Sequence, residues 1–341
     1  MSKLALAGPE AAPSHAADGH PERPARVHAA IDGIDDLDLG YDLVAVQARL
    51  ATTAELALVH TPAYLHGLRV FCEGGGGHLD PDTFAGPDSW PAACRAAGAG
   101  LAAIETLAAG QADVAFVAAR PPGHHALADR AMGFCLLNNI AVAAATLASA
   151  GERVLIVDWD VHHGNGTQSI FWDDPRVLYV STHQSPFYPG TGRAEETGGP
   201  AARGLTVNIP LPAGATGDIV RRALEEVAGP AVDVFTPTWV LVSAGYDAHR
   251  QDPLADLALS SGDFGGLARL VSGFARRTGR LVLFLEGGYD LAAVRRSVAA
   301  TVAPLLGADA QAEPLTSGGP GMEAVAQAGR ARSQPLEEDL W

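Results

Sequence analysis

The chain has 341 residues, 48% of them hydrophobic and only 18% charged, with 39 Gly and 23 Pro. This supports a sizeable core and many short connections, and it suits one large α/β unit rather than long solvated helices. The formal net charge of −16 argues against a standing nucleic-acid interface and favours cationic partners through long-range steering. Cys72, Cys94 and Cys135 form neither a disulfide framework nor a CxxC metal site, so a reducing cytoplasm is the expected compartment. Residues 1–9 lack a charged segment followed by an apolar core. No run approaches the roughly 18 apolar residues of a membrane span. Neither a signal peptide nor a membrane partner is expected.

In chain order, residues 1–26 are rich in Pro, Ala and His. Proline biases them away from helix, so they are expected to wrap the surface until a helix begins near Ala25. Val27, Ala30, Ile31 and Ile34 then recur at helical spacing. Thr52-Thr53-Ala54-Glu55 reads as a helix start with an acid in its first turn. Gly74 to Gly77 is a flexible loop, and Asp80 to Ser89 is turn-rich. Ala92 to Gly110 is a small-residue helix suited to close packing on a sheet.

A regular alternation follows. The strand candidates are Val114–Ala118, Val154–Val157, Val177–Ser181, Leu205–Ile209, Val240–Ser243 and Leu281–Leu285. Helical patterns at Asn139–Ser149, Ile219–Ala228, Phe264–Arg277 and Leu291–Ala303 separate several of them. This order predicts an α/β fold, a single open and mainly parallel sheet with helices on both faces. Residues 1–309 are read as one catalytic domain. The pattern fades after Gly307, and residues 310–341 read as a loosely attached tail. No internal repeat or linker divides the core.

The organising stretch is Val154-Leu-Ile-Val-Asp158-Trp-Asp160-Val-His162-His163-Gly-Asn165-Gly166. It opens as a strand buried on both faces and breaks into acids and imidazoles. Asp158, Asp160 and His162 alternate along the chain, so in extended backbone they point to one side and can converge. Two carboxylates and an imidazole suit a divalent metal such as zinc with an open position.

Polar residues also collect after other strands, where open α/β sheets form their sites. Arg120-Pro-Pro-Gly-His124-His125 follows the first strand candidate, and Thr182-His183 follows Ser181. Ala244-Gly-Tyr-Asp247 and Glu286-Gly-Gly-Tyr289 follow the last two. Asp160, His162 and Asp247 would supply three metal ligands. His124 and His125 offer a base and an acid, and Asp158 is placed to orient one imidazole. Tyr289 offers a hydroxyl to a developing oxyanion.

The ordered motifs resemble the zinc-dependent histone deacetylase and acetylpolyamine amidohydrolase superfamily. They are Arg120-Pro-Pro-Gly-His-His-Ala126, Gly133-Phe-Cys-Leu-Leu-Asn-Asn139, Val157-Asp-Trp-Asp-Val-His-His-Gly-Asn-Gly-Thr-Gln168, Ser243-Ala-Gly-Tyr-Asp247 and Leu285-Glu-Gly-Gly-Tyr-Asp-Leu291. The likeness runs from about His20 to about Leu306. It looks closest to the bacterial class II-like branch, given Trp159, Asn165 and Asp252-Pro253-Leu254.

The resemblance implies one zinc on Asp160, His162 and Asp247, and a catalytic pair of His124 and His125 with the second as general base. It implies Asp158 behind His124 and Tyr289 as hydrogen-bond donor. Asn165 falls behind His125 where some members have an acid. Phe134, with Gly133, and Tyr188 resemble the walls of an acyl-lysine tunnel, and Arg23 resembles an arginine beside an internal cavity. Potassium or sodium is implied at Asp158, Asp160, His162, Ser181 and Thr182. A second such site is implied at Phe171, Asp174 and Val177, through backbone carbonyls. The family's usual first strand looks poorly formed between Lys3 and His20.

The implied reaction is hydrolysis of an N-acyl amide. The substrate is acylated lysine in a protein or peptide, with acetylpolyamine or another small acylamide as the alternative; the oligomeric state is left open. An arginase-like ureohydrolase needs a second metal and more acids. A non-catalytic acyl-lysine binding module would not need every catalytic position filled. A cysteine hydrolase built on Cys135 is weaker, because Gly-Phe-Cys reads as packing.

Overall fold

The computed structural model describes residues 2–8, 12 and 14–333. Its strands are β1 (Leu4–Ala7), β2 (Leu43–Val46), β3 (Gly77–His78), β4 (Phe84–Ala85), β5 (Val114–Val117), β6 (Val154–Asp158), β7 (Val177–Gln184), β8 (Thr206–Leu211), β9 (Trp239–Ala244) and β10 (Leu281–Leu285). Its helices are α1 (Ala25–Asp35), α2 (Thr53–Leu56), α3 (Pro62–Glu73), α4 (Ser89–Ala108), α5 (Asn139–Ser149), α6 (Asn165–Ile170), α7 (Gly217–Ala223), α8 (Gly229–Phe235), α9 (Ser261–Ser272), α10 (Leu291–Leu306) and α11 (Met322–Ser333). Eight strands form one sheet in the order β2-β1-β5-β10-β9-β6-β7-β8, every neighbouring pair parallel. β3 and β4 form a separate antiparallel pair.

The strands read as apolar runs because both faces of the sheet are covered. Leu155 and Val157 of β6 point into one core with Val242, Leu283 and the inner sides of α1, α9 and α10. Val154 and Ile156 point into the other, against the alanines of α4 and α5. The period of two in a strand assigns each side chain to its layer. The register then sets the ends level: Asp158 pairs with Ser181 on one side and Ser243 on the other. The residues that follow β5, β6, β9 and β10 therefore emerge at one edge.

Several elements differ from the sequence reading. Leu4–Ala7 is a fully buried strand between β2 and β5, rather than part of a surface wrap. Four residues of Leu and Ala carry little strand preference of their own; pairing on both sides supplies it. β7 continues to Gln184, so Thr182 and His183 lie within the strand and are buried. The helix expected at Ile219–Ala228 continues through a widened turn at Leu224–Ala228 into α8. The predicted start at Thr52 is a full capping box with Glu55.

The stretch read as a loose tail is attached across 313–333. Glu313 accepts from His249 Nε2 at 2.7 Å and Arg250 Nη2 at 2.6 Å. Thr316 Oγ1 donates to Asp263 at the start of α9. Val325 and Ala328 of α11 are buried in the main core, and Arg332 donates to the carbonyls of Gly204 and Thr206 beside β8. The apolar residues of α11 are mostly alanines, with Val325 as its one bulky aliphatic residue, too weak an apolar period to announce this docking. Residues 334–341 of the expected tail lie outside the described residues.

Below the site edge lies a buried ionic cluster. Glu22 takes two hydrogen bonds from Arg120, at 2.8 and 2.6 Å, and one from Arg26 at 3.2 Å. Burial alone would raise the Glu22 carboxyl, but the Arg120 hydrogen bonds and both guanidinium charges hold it down at about 2. Removing one member of a buried ionic set strands the others. Glu22→Gln should cost about 3–5 kcal/mol of unfolding free energy, read from denaturant midpoints. Because the folded carboxyl titrates below the unfolded one, its contribution is complete above about pH 4.5 and is lost as the pH falls toward about 2. The variant should lack that acid limb.

Candidate active site

Asp160, His162 and Asp247 meet where the loops after β6 and β9 touch. One ligand atom from each lies within 4.8 Å of the others. Asp160 and Asp247 are buried, and His162 Nδ1 stands 3.1 Å from Asp160 Oδ1 and 3.2 Å from Asp247 Oδ2. Gly287 N donates to Asp160 Oδ2 at 2.8 Å, and Val161 N donates to Asp247 Oδ1 at 3.0 Å. Asp247 Oδ2 is buried and has no hydrogen-bond partner. Such an atom normally costs free energy. Gly287 permits this packing, since a Cβ there would collide with Asp247 Oδ2.

The electrostatics ask for a cation. Burial would lower the His162 imidazole, yet the two carboxylates beside it push it up to about 10. Two anionic oxygens and an imidazole around an unpartnered carboxylate atom fit a divalent metal. Among the described residues this is the one such group of three. His163, the spare imidazole of the motif, does not join it. Its Nε2 donates to Gln168 Oε1 at 2.9 Å and its Nδ1 is 2.8 Å from Thr191 Oγ1.

His124 and His125 arrive from the loop after β5, with ring centroids 4.0 Å apart. His124 Nδ1 donates to Asp158 Oδ2 at 3.1 Å, as expected of a carboxylate behind that ring. Asp158 Oδ2 also accepts from Tyr179 Oη at 3.2 Å. Burial would lower the His124 imidazole, but Asp158 and Asp160 outweigh it and push it up to about 10. His125 Nδ1 lies 2.7 Å from Asn165 Oδ1. Burial, with the neighbouring His124 and His162, drives its imidazole well below the ordinary value. The adjacent rings are thus driven in opposite directions: the carboxylates raise His124, while burial and the neighbouring imidazoles lower His125.

A cavity of about 260 Å³ leads to this centre. Phe134, Phe187 and Tyr188 wall it, Tyr289 stands at its base, and Asp82 and Leu254 lie on its lining. Phe187 stacks on His162 with centroids 5.3 Å apart and planes at 26°. Tyr188 meets His125 edge-on at 5.3 Å. Gly133 has φ +56°, and a Cβ there would collide with the His125 ring; Phe134 follows at φ +67°. This left-handed pair folds the aromatic wall over the His125 imidazole. Burial pushes the Tyr289 phenol well above its usual value despite the nearby Arg26 charge, so it remains a donor.

The structure moves one sequence assignment. Arg23 is exposed. Arg26, three residues later, is buried with its guanidinium 4.8 Å from the Tyr289 ring centroid, and it donates to the carbonyls of Gly288 and Glu286. Because α1 starts at Ala25, Arg26 shares the inward face with Val27, Ala30 and Ile34.

Of the residues read as monovalent-ion positions, Asp158 at the end of β6 pairs with Ser181 in mid-β7, Thr182 follows within β7, and Asp160 and His162 lie just beyond β6. Ser181 Oγ is also 2.9 Å from His183 Nδ1. Phe171, Asp174 and Val177 form a turn in which Asp174 N donates to Phe171 O and Val177 N to Asp174 O.

Sequence reasoning left several site residues without a role. Glu286 is buried and accepts from Gly123 N at 2.7 Å and His124 N at 3.2 Å; its place in a strand-end motif was the available signal. Asp252 Oδ2 accepts from Tyr289 N at 2.6 Å, fixing the tyrosine loop. Phe187 could have been found beside Tyr188. Nothing in a strand sequence singles out Tyr179.

Comparison with known proteins follows the same lines. The histone deacetylase domain family matches residues 20–305. A histone deacetylase-like amidohydrolase of Pseudomonas aeruginosa is 41% identical over 82% of this chain and 75% of its own length. A probable deacetylase of Archaeoglobus fulgidus is 39% identical over 80% of this chain and 77% of its own. The crystal structure of the HDA15 HD domain superposes with a TM-score of 0.89 at 34% identity, covering 97% of this chain and 95% of that one. Family match, relatives and fold agree: the chain belongs to the histone deacetylase family and is a deacetylase.

Proposed function

We propose that this deacetylase is zinc-dependent and removes acetyl or other acyl groups from N-acyl-lysine in proteins or peptides. The carrying observation is the aromatic-walled cavity ending on the Asp160, His162 and Asp247 group beside His124 and His125. Apolar walls suit an aliphatic lysine stem, and polar groups gathered at the base suit its amide. Tyr188 and Leu254 at the pocket are more than a third exposed, which favours an opening that a peptide can approach. Acetylpolyamine is the second reading, supported by the net charge of −16, which steers cations.

Zinc held by Asp160, His162 and Asp247 would supply Lewis acidity, polarising an amide carbonyl and acidifying a water molecule. His125, with Nδ1 committed to Asn165, keeps Nε2 free to take the proton of the attacking water. His124 is backed by Asp158 and holds a proton for the departing amine. Tyr289 donates its hydroxyl to the substrate oxygen that gains negative charge. Asp252 and Arg26 hold that tyrosine in place from its backbone and its ring face.

Potassium or sodium at the β6–β7 ends and at the Phe171–Val177 turn would stabilise the loops behind the zinc. The cytoplasm is the proposed compartment; the three cysteines are buried and unpaired, as a reducing setting allows. No helix among the described residues is long and apolar enough to cross a membrane.

Three outcomes are expected. Tyr289→Phe should lower kcat by about 10²–10³ with little change in KM; unchanged turnover removes the oxyanion role. Chelation should abolish activity and zinc restore it at one metal per chain, measured by elemental analysis of wild type and Asp247→Asn, with the variant losing the metal. Two metals per chain would favour ureohydrolase-like chemistry. In a turnover panel, acyl-lysine peptides should exceed N-acetylpolyamines in kcat/KM, and the reverse order would make the polyamine reading the better one.

A further inference from the structure

Asn165 poses a problem that a carboxylate would not. Its side-chain amide has two nearly isosteric orientations, one offering His125 an acceptor and the other a donor. They have opposite consequences. With Oδ1 toward His125, as found at 2.7 Å, Nδ1 must carry the hydrogen and Nε2 keeps its lone pair. With Nδ2 toward His125, Nδ1 must supply the lone pair and the hydrogen moves to Nε2. Only the first tautomer can accept a proton at Nε2.

The other end of the amide decides between them. Asn165 Nδ2 lies 3.3 Å from Met132 Sδ and donates to it. A thioether has lone pairs and no hydrogen, so it can accept but cannot donate. Reversing the amide would set Oδ1 against Sδ, two lone-pair-bearing atoms with no hydrogen between them. Met132 is also held in place. Its N–H and C=O both pair with Cys135, closing a tight turn over the His125 ring. Asn165 sits at the start of α6, its N–H bonded to His163 O at 2.8 Å. The residue that carries the amide and its sulfur acceptor are thus both anchored by backbone hydrogen bonds.

We propose that Met132 is a positioning residue that sets the tautomer of His125 by fixing the orientation of the Asn165 amide. This rests on His125 being the proton acceptor of the deacetylation. It gives an otherwise unremarked methionine a part in the reaction without contact with substrate or metal.

The ring-nitrogen chemical shifts of histidine-15N-labelled protein test this directly, with His125 assigned by comparison with His125→Gln. They are read on metal-free and zinc-loaded protein and need no turnover. Wild type should show Nδ1–H with an unprotonated Nε2. Met132→Leu keeps the bulk and removes the acceptor. It should populate the Nε2–H tautomer and lower kcat about five- to tenfold, with KM within about twofold. In an Asn165→Asp background both side-chain oxygens accept, so adding Met132→Leu should change neither the shifts nor kcat.

Norleucine incorporation is the near-isosteric second variant, because the chain's methionines are Met1, Met132 and Met322 alone and Met322 lies on the exposed side of α11. It should reproduce the Met132→Leu shifts. Nε2–H in the wild type, unchanged shifts in either methionine replacement, or an equal kcat loss in the Asn165→Asp background would each overturn the proposal. If wild type turns over no acyl-lysine substrate while the shifts behave as expected, the functional reading fails and the positioning role stands.

Discussion

The structure depends on one costly arrangement: several carboxylates buried together at the carboxyl edge of a parallel sheet. Asp158, Asp160, Asp247 and Glu286 are each at most 1% exposed. Removing such charges from water is expensive unless hydrogen bonds and opposite charges replace the lost solvation. Backbone N–H groups supply much of the replacement, from Gly123, His124, Val161 and Gly287. Each comes from a different loop than the carboxylate it serves. The cost of burying acid is therefore what interlocks the loops after β5, β6, β9 and β10.

What the backbone leaves undone, imidazoles and guanidinium groups complete. His124 sits against Asp158 and His162 between Asp160 and Asp247. Arg26 and Arg120 converge on Glu22 one layer below, and Arg26 reaches upward to the Glu286 and Gly288 carbonyls. Asp247 Oδ2 accepts no hydrogen bond, with the His162 ring 3.2 Å away, and it belongs to the three-residue group that could hold a metal. A cluster of buried carboxylates that leaves a ligand oxygen without a hydrogen-bond donor is preorganised for a cation.

The same economy separates the two histidines. Their rings are 4.0 Å apart, so two cations there would repel. Carboxylates beside His124 raise its imidazole, while burial and the neighbouring rings lower that of His125, which has only a neutral amide behind it. The amide brings an orientational freedom that a carboxylate lacks, and a neighbouring acceptor is needed to remove it.

Much of this was legible in the chain. The apolar runs and their spacing dictated a parallel α/β sheet, because strands covered on both faces must be apolar throughout. Acids and histidines placed immediately after those runs marked the site edge and nominated Asp160, His162, Asp247, His124, His125 and Tyr289. These are short-range regularities, carried by residues within a few positions of a strand end. Four things required the tertiary structure. Leu4–Ala7 is a strand only because neighbours on both sides pair with it. Arg26 rather than Arg23 is the buried arginine because α1 starts only at Ala25: Arg26 lies on its inward face, while Arg23 precedes the helix and stays exposed. The 313–333 segment packs because His249, Arg250 and Asp263 are waiting at the far end of other elements. Asn165 meets Met132 across 33 positions of chain, and no local pattern encodes which acceptor an amide will find. Sequence determined which chemistries the edge could hold; the long-range register of strands and loops decided which atoms face one another.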